Sequence, residues 1–140
     1  MPCGTFSGTP FWSVYTVPEI RLPNRTEAVA SAVEFVEAEA ARAGWSTVET
    51  TRAVLALSEA VGNAVEHGGG DLRVRCRSSP AALRLEVVDG GSGPSPRQLD
   101  RAALPSDTLA QGGRGLYIIK TVSDAVSVAE GTVVMEFTRA

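Results

Sequence analysis

At 140 residues with 44% apolar and 21% charged side chains, the chain suits one domain with a sizeable core and fits neither a disordered nor a membrane-embedded class. A formal net charge of −3 and a pI near 5.2 supply no broad basic field, which argues against direct nucleic-acid binding. No segment approaches the roughly 20 apolar residues of a membrane span and no basic-then-apolar leader opens the chain, so the expectation is a cytoplasmic protein with no membrane association.

Residues 1–10, MPCGTFSGTP, are rich in Gly, Pro, Ser and Thr and read as a flexible N-terminal tail before a single domain over 11–140. WSVYTV, from Trp12 to Val17, has strand composition, and Pro18 and Pro23 bracket a polar turn. Val29, Val33, Val36 and Ala40 then recur at helical spacing, with Asn24 and Glu27 in capping-box positions and Gly44 as a stop. Ser46 and Glu49 offer a second capping box, opening a helix that runs to the glycines at 68–70. LRVRCR and LRLEVV alternate with period two across SSPAA and predict a hairpin. Asp89 to Gly113 is loop-like and long for a domain of this size, and such loops usually carry function. RGLYIIKTVSD predicts a short helix, followed by strands AVSV and TVVMEFT turned at Glu130 and Gly131. Hairpin-linked strands with helices between them predict an α+β, two-layer sandwich: a mixed, mostly antiparallel sheet with helices on one face.

The second helix carries Glu59, Asn63 and His67 four residues apart, spanning about 80° on the side opposite Val54, Leu57, Val61 and Val65. Alone, such a row reads as a solvated helix face. Further along, VVDGGSG places Asp89 at a strand end before Gly91 and Gly93, and GGRGL places Gly113 and Gly115 at a helix start. Each is ordinary punctuation by itself. In this order and on these elements they form one constellation, E-x-x-x-N-x-x-x-H, then D-x-G-x-G, then G-x-G-L.

With that constellation the sequence resembles the Bergerat-fold (histidine kinase-like) ATPases. SEAVGNAVEHG and GGRGLYIIKTVSDAV look like the short anti-sigma factor serine kinases of the RsbW and SpoIIAB type. The resemblance implies ATP and Mg²⁺ as cofactors, with Asn63 holding the metal through its amide oxygen, as an oxygen-seeking cation that keeps waters would require. It implies Glu59 as general base, although a structural carboxylate is the plainer reading of that residue. Asp89 would accept a hydrogen bond from the adenine amino group. Guanine has a carbonyl there, so ATP would be preferred over GTP.

Gly91 and Gly93 would allow close backbone approach, and residues 94–111 would form the ATP lid, with Arg97 and Arg101 reaching phosphate or partner. Gly113, Arg114, Gly115 and Leu116 would present backbone amides, a helix N-terminus and a guanidinium to the phosphates. No P-loop lysine motif exists, Lys120 being the one lysine. Thr132 matches a position near the nucleotide, or is simply a strand threonine. His67 is not expected to be phosphorylated, because the chain lacks the separate helical hairpin that carries such a histidine. Cys3 and Cys76 show no metal-ligand spacing, and Cys76 reads as core.

The function implied is a regulatory serine kinase and anti-sigma factor. It would sequester a sigma factor, phosphorylate a serine of a STAS-type anti-sigma-factor antagonist, and form a homodimer. A non-catalytic module that uses ATP only to hold a partner, and an ATPase or kinase domain acting elsewhere, are the alternatives.

Overall fold

The computed structural model describes residues 17–102 and 113–139. The tail 1–10, nearly all of the Trp12–Val17 strand and residues 103–111 of the expected lid lie outside them. The element order is β1 (Glu19–Leu22), α1 (Ala28–Arg42), α2 (Thr51–His67), β2 (Leu72–Ser78), β3 (Ala82–Val88), α3 (Pro96–Arg101), α4 (Gly113–Val122), β4 (Ala125–Ala129) and β5 (Thr132–Thr138).

The strands form one sheet in the order β1-β2-β3-β5-β4. Every pairing among the described strands is antiparallel, with Cys76 opposite Leu85 and Leu85 opposite Met135 at the centre. The period-two pattern explains why this sheet has a single apolar face. Leu72, Val74 and Cys76 on β2, Leu83, Leu85 and Val87 on β3, and Val133, Met135 and Phe137 on β5 are all buried, and the residues between them are not. Leu57, Leu72, Leu83 and Leu85 are fully enclosed, and each contributes about 1.5–3 kcal/mol by leaving water. Burial among apolar groups, with Glu39 nearby, pushes the Cys76 thiol up to about 12, so it serves as core rather than as a nucleophile.

The helices cover that face. On α1 the buried stripe is Ala28, Ala32, Val36 and Ala40: Val36 and Ala40 are buried as expected, while Ala28 and Ala32 take the places expected of Val29 and Val33, which flank the stripe. On α2 it is Ala53, Ala56, Leu57, Ala60, Val61 and Ala64. The alanines let α2 sit close between α1 and α4, both of which pack on it. The buried arc of α2 is therefore wider than its large apolar residues alone suggested, and Val54 and Val65 lie at its margins.

Three local expectations are corrected. The first described strand is Glu19–Leu22, inside the segment expected to be a polar turn. As an edge strand it tolerates the flanking prolines, and its charged positions pair across the sheet, with Arg75 Nε donating to Glu19 Oε1 at 2.7 Å. Asn24 does not cap α1, which starts with no side-chain cap at Glu27. Its amide instead donates to the Ala64 and Gly70 carbonyls at 3.4 and 3.2 Å, tying the β1–α1 connection to the end of α2. Third, the long loop contains α3, opened by a reciprocal box between Ser95 and Gln98 with proline at the first helical position.

The Ser46 box forms as expected. The Ser46 N–H donates to Glu49 Oε1 at 2.8 Å and the Glu49 N–H to Ser46 Oγ at 3.1 Å. The same carboxylate is gripped by Arg139 through two hydrogen bonds of 2.9 and 3.1 Å, while the guanidinium also reaches the Gly44 and Pro80 carbonyls. Arg139, then the Ser46 backbone amide, hold the Glu49 carboxyl down to about 2 from 4.5. A depressed folded-state value contributes stability above the unfolded value, and that contribution is lost as pH falls through the folded one. Stability in urea should therefore decline between about pH 4.5 and 2, and Glu49→Gln should flatten that acid limb. Identical limbs in both proteins would contradict the clasp.

Candidate functional site

A cavity of about 760 Å³ opens between α2, α4, α3 and the ends of β3 and β5. Its α2 wall is Ala60, Asn63, Ala64 and His67, its α4 wall Leu116 and Ile119, and its inner end Val87, Asp89 and Val133. Ser92, Gly93 and Pro94 form one rim, and Gln98 and Arg101 of α3 another. A mostly apolar slot with a few convergent polar groups is the usual form of a small-molecule site.

Asp89 follows the last residue of β3, and a knot of glycine backbone fixes its carboxylate. Oδ1 accepts the Gly91 N–H at 2.6 Å, and the Asp89 N–H donates to the Gly131 carbonyl at 2.9 Å. Among the described residues no hydrogen bond uses Oδ2, which leaves one carboxylate oxygen for a ligand. Gly131 has φ +68°, and a Cβ on it would stand 2.7 Å from the Gly91 oxygen. Only glycine fits such a crossing. Gly68 is equally constrained, since a Cβ there would lie 2.8 Å from the Asp89 carboxyl carbon. Gly91 supplies close approach, and Gly93, with φ +66°, supplies both the left-handed turn and an approach to Gly131.

Glu59 and Asn63 meet the first turn of α4. A Cβ on Gly115 would stand 3.0 Å from Glu59 Oε1 and 3.2 and 3.4 Å from the Asn63 amide atoms, so its absence lets the helix start settle against both side chains. Both are half-buried, and Asn63 lines the cavity whereas Glu59 stands one turn back, outside the lining. The row therefore borders α4 rather than facing away from the packed side of α2. His67 ends the row, exposed at the cavity mouth with Nε2 3.7 Å from Glu66 Oε1.

Gly113 begins α4, Arg114 is exposed beside it, and Leu116 is buried against the cavity. Thr132 starts β5 opposite Val88 and Ala129. It lies between two lining residues, Gly131 and Val133, without lining the cavity itself. Arg101 lines it, and the exposed Arg97 does not.

Sequence reasoning missed Gly131, read only as a hairpin turn, Gly68, read only as a helix stop, and Gln98. The Ser95-Pro96-x-Gln98 pattern was the available signal for α3. Nothing local marks a glycine that must cross another loop.

Among the described residues no three His, Cys, Asp or Glu side chains cluster as a metal cage. One amide oxygen, from Asn63, beside a ligand cavity instead suits a cation whose remaining ligands are phosphate oxygens and water, so the residues present fit Mg²⁺ bound together with a nucleotide.

The fold and site define an α+β sandwich with a cavity between its helices and the ends of two strands, and the family model for the histidine kinase-like ATPase domain matches residues 22–137. The chain is similar to the serine-protein kinase RsbW of Bacillus pumilus, 32% identical with 79% of this chain and 76% of the relative covered. It is equally similar, at 32% and the same coverage, to the proteins of that name from Bacillus velezensis and Bacillus subtilis. It belongs to the histidine kinase-like ATPases and, within them, to the anti-sigma factor serine kinase family of the RsbW type. No helix among the described residues is long and apolar enough to cross a membrane.

Proposed function

We propose that the protein binds ATP with Mg²⁺ and is a regulatory serine kinase that sequesters a sigma factor and phosphorylates a serine of its STAS-type antagonist. The observation that carries this reading is the meeting of Glu59 and Asn63 at Gly115, beside a cavity whose inner end holds Asp89.

In this reading Asp89 Oδ2 accepts the adenine amino hydrogen while Gly91 fixes Oδ1, and Val87, Ile119 and Val133 enclose the base. Asn63 offers its oxygen to Mg²⁺, which supplies charge neutralisation on the triphosphate when bound. The N-terminus of α4, with Gly113, Arg114 and Gly115, offers backbone amides and the positive end of a helix to phosphate oxygens. Glu59 takes the proton from the incoming serine hydroxyl, which attacks the γ-phosphorus as the bond to ADP breaks. Its nearness to Asn63 puts the base next to the residue that organises the phosphates, as positioning-dominated phosphoryl transfer requires. A homodimer is part of the proposal, on the strength of the family alone.

The test is transfer of labelled γ-phosphate from Mg-ATP into a lysate of the native host. The expected result is one labelled small protein whose phosphoamino acid is serine. Tight ATP binding with no label in any protein, including purified candidate antagonists, would favour the sequestering module without catalysis.

A further inference from the structure

The chain's one lysine is not at the α4 N-terminus, where phosphates would lie, but near the helix's other end. There Lys120 Nζ donates to the carbonyls of Leu99 and Asp100, both at 3.1 Å. These are among the last carbonyls of α3, which carry its negative end; the Leu99 carbonyl also accepts the Ala102 N–H at 3.1 Å, so Lys120 adds a charged donor to the closing turn. A helix of six residues cannot persist by itself. α3 is held by the Ser95–Gln98 box at its start, by the burial of Leu99 beneath it, and by Lys120 at its end.

What α3 presents to the cavity is Gln98 and Arg101, one turn apart. The Gln98 side-chain oxygen is already committed to the Ser95 N–H at 2.8 Å. Arg101, exposed at the cavity edge, makes no ion pair with any described residue and is the one arginine among the described residues lining the cavity; Arg114, also exposed, lies outside that lining. A triphosphate calls for more positive charge than one divalent cation supplies, and a guanidinium meets phosphate oxygens with two parallel donors.

We propose that Lys120 is a positioning residue that latches α3 onto α4, and that Arg101, held in place by this latch, is the guanidinium that contacts the phosphate chain. The second half rests on the nucleotide reading above. The first half does not. Lys120 touches no ligand and acts through the carbonyls of α3, so its loss lets the C-terminal turn of α3 fray and Arg101 leave the cavity wall.

Two measurements separate these claims. In the free protein, Lys120→Met should speed amide exchange at Leu99 and Ala102 about tenfold, with Lys120→Arg restoring it to within about threefold. Unchanged exchange overturns the latch. Lys120→Met should also weaken ATP binding about tenfold, while adenosine, which has no phosphate, stays within about twofold. Arg101→Met should reproduce that split, and the double variant should be no weaker than either single one, because both act through one contact. Additive losses, or an equal loss for adenosine, overturn the assignment of Arg101. Should Lys120→Met fail to fold, Lys120→Ala, which also removes the donor, serves the same comparisons. A wild-type protein that takes no ATP would overturn the nucleotide reading and Arg101 with it, and the exchange result would still decide the latch.

Discussion

Glu59→Ala should lower phosphoryl transfer to the antagonist serine by about 10²–10⁴-fold, the usual contribution of a positioned general base. ATP affinity should change by no more than about threefold, since the carboxylate stands outside the cavity lining. Its carboxylate lies against Gly115 rather than in an ion pair with a described residue, so a purely structural function has little to hold on to. Initial rates of label transfer, with ATP affinity titrated separately, read the two quantities apart. A variant that phosphorylates at the wild-type rate would remove Glu59 from the chemistry, and one that loses rate and affinity equally would make it a ground-state contact. Glu59→Gln, which keeps the shape and loses the basicity, should resemble Glu59→Ala in rate.

The second large effect is expected at Asp89. Asp89→Asn should weaken ATP binding about 10- to 100-fold, by turning an acceptor toward the adenine amino group into a donor and leaving both groups unpaired. The direction follows from the glycine knot. The Gly91 N–H already claims Oδ1 at 2.6 Å, so an asparagine keeps its oxygen there and must point its NH₂ at the base. Preference for ATP over GTP should narrow at the same time, because the guanine carbonyl at that position can accept from the new donor. Competition titrations with the two nucleotides measure both. Unchanged affinity and preference would mean that the base binds elsewhere in the cavity.

How far the site was legible in the sequence differs from residue to residue. Asn63, Asp89 and the α4 glycines could be picked out because each sits at a fixed offset within one element, and a motif in one element survives without knowledge of any other. His67 belongs to the same row yet, as the last residue of α2, it is exposed and, among the described residues, pairs only with the adjacent Glu66. Thr132 looked equivalent to its neighbours in sequence, but strand alternation puts Val133, not Thr132, toward the helices. Asn24 looked like a cap, having the right residue type at the right spacing. Its amide found two carbonyls at the far end of α2 instead, because a helix cap is a weak local preference that a tertiary hydrogen bond can displace.

The sequence by itself determined helices α1, α2 and α4 and strands β2 to β5, though not β1 or α3, together with the single apolar face of the sheet, the reciprocal box at Ser46 and the three motifs that mark the family. These depend on periods and short offsets along the chain, which side-chain direction converts directly into faces. The tertiary structure alone decided that Gly131 crosses the loop after Asp89, that Gly115 seats α4 on Glu59 and Asn63, and that Lys120 closes the end of α3. Those contacts join groups far apart in the chain, and their partners are mostly backbone atoms. Every residue carries the same backbone groups, so only the packed arrangement of the elements could show which of them meet.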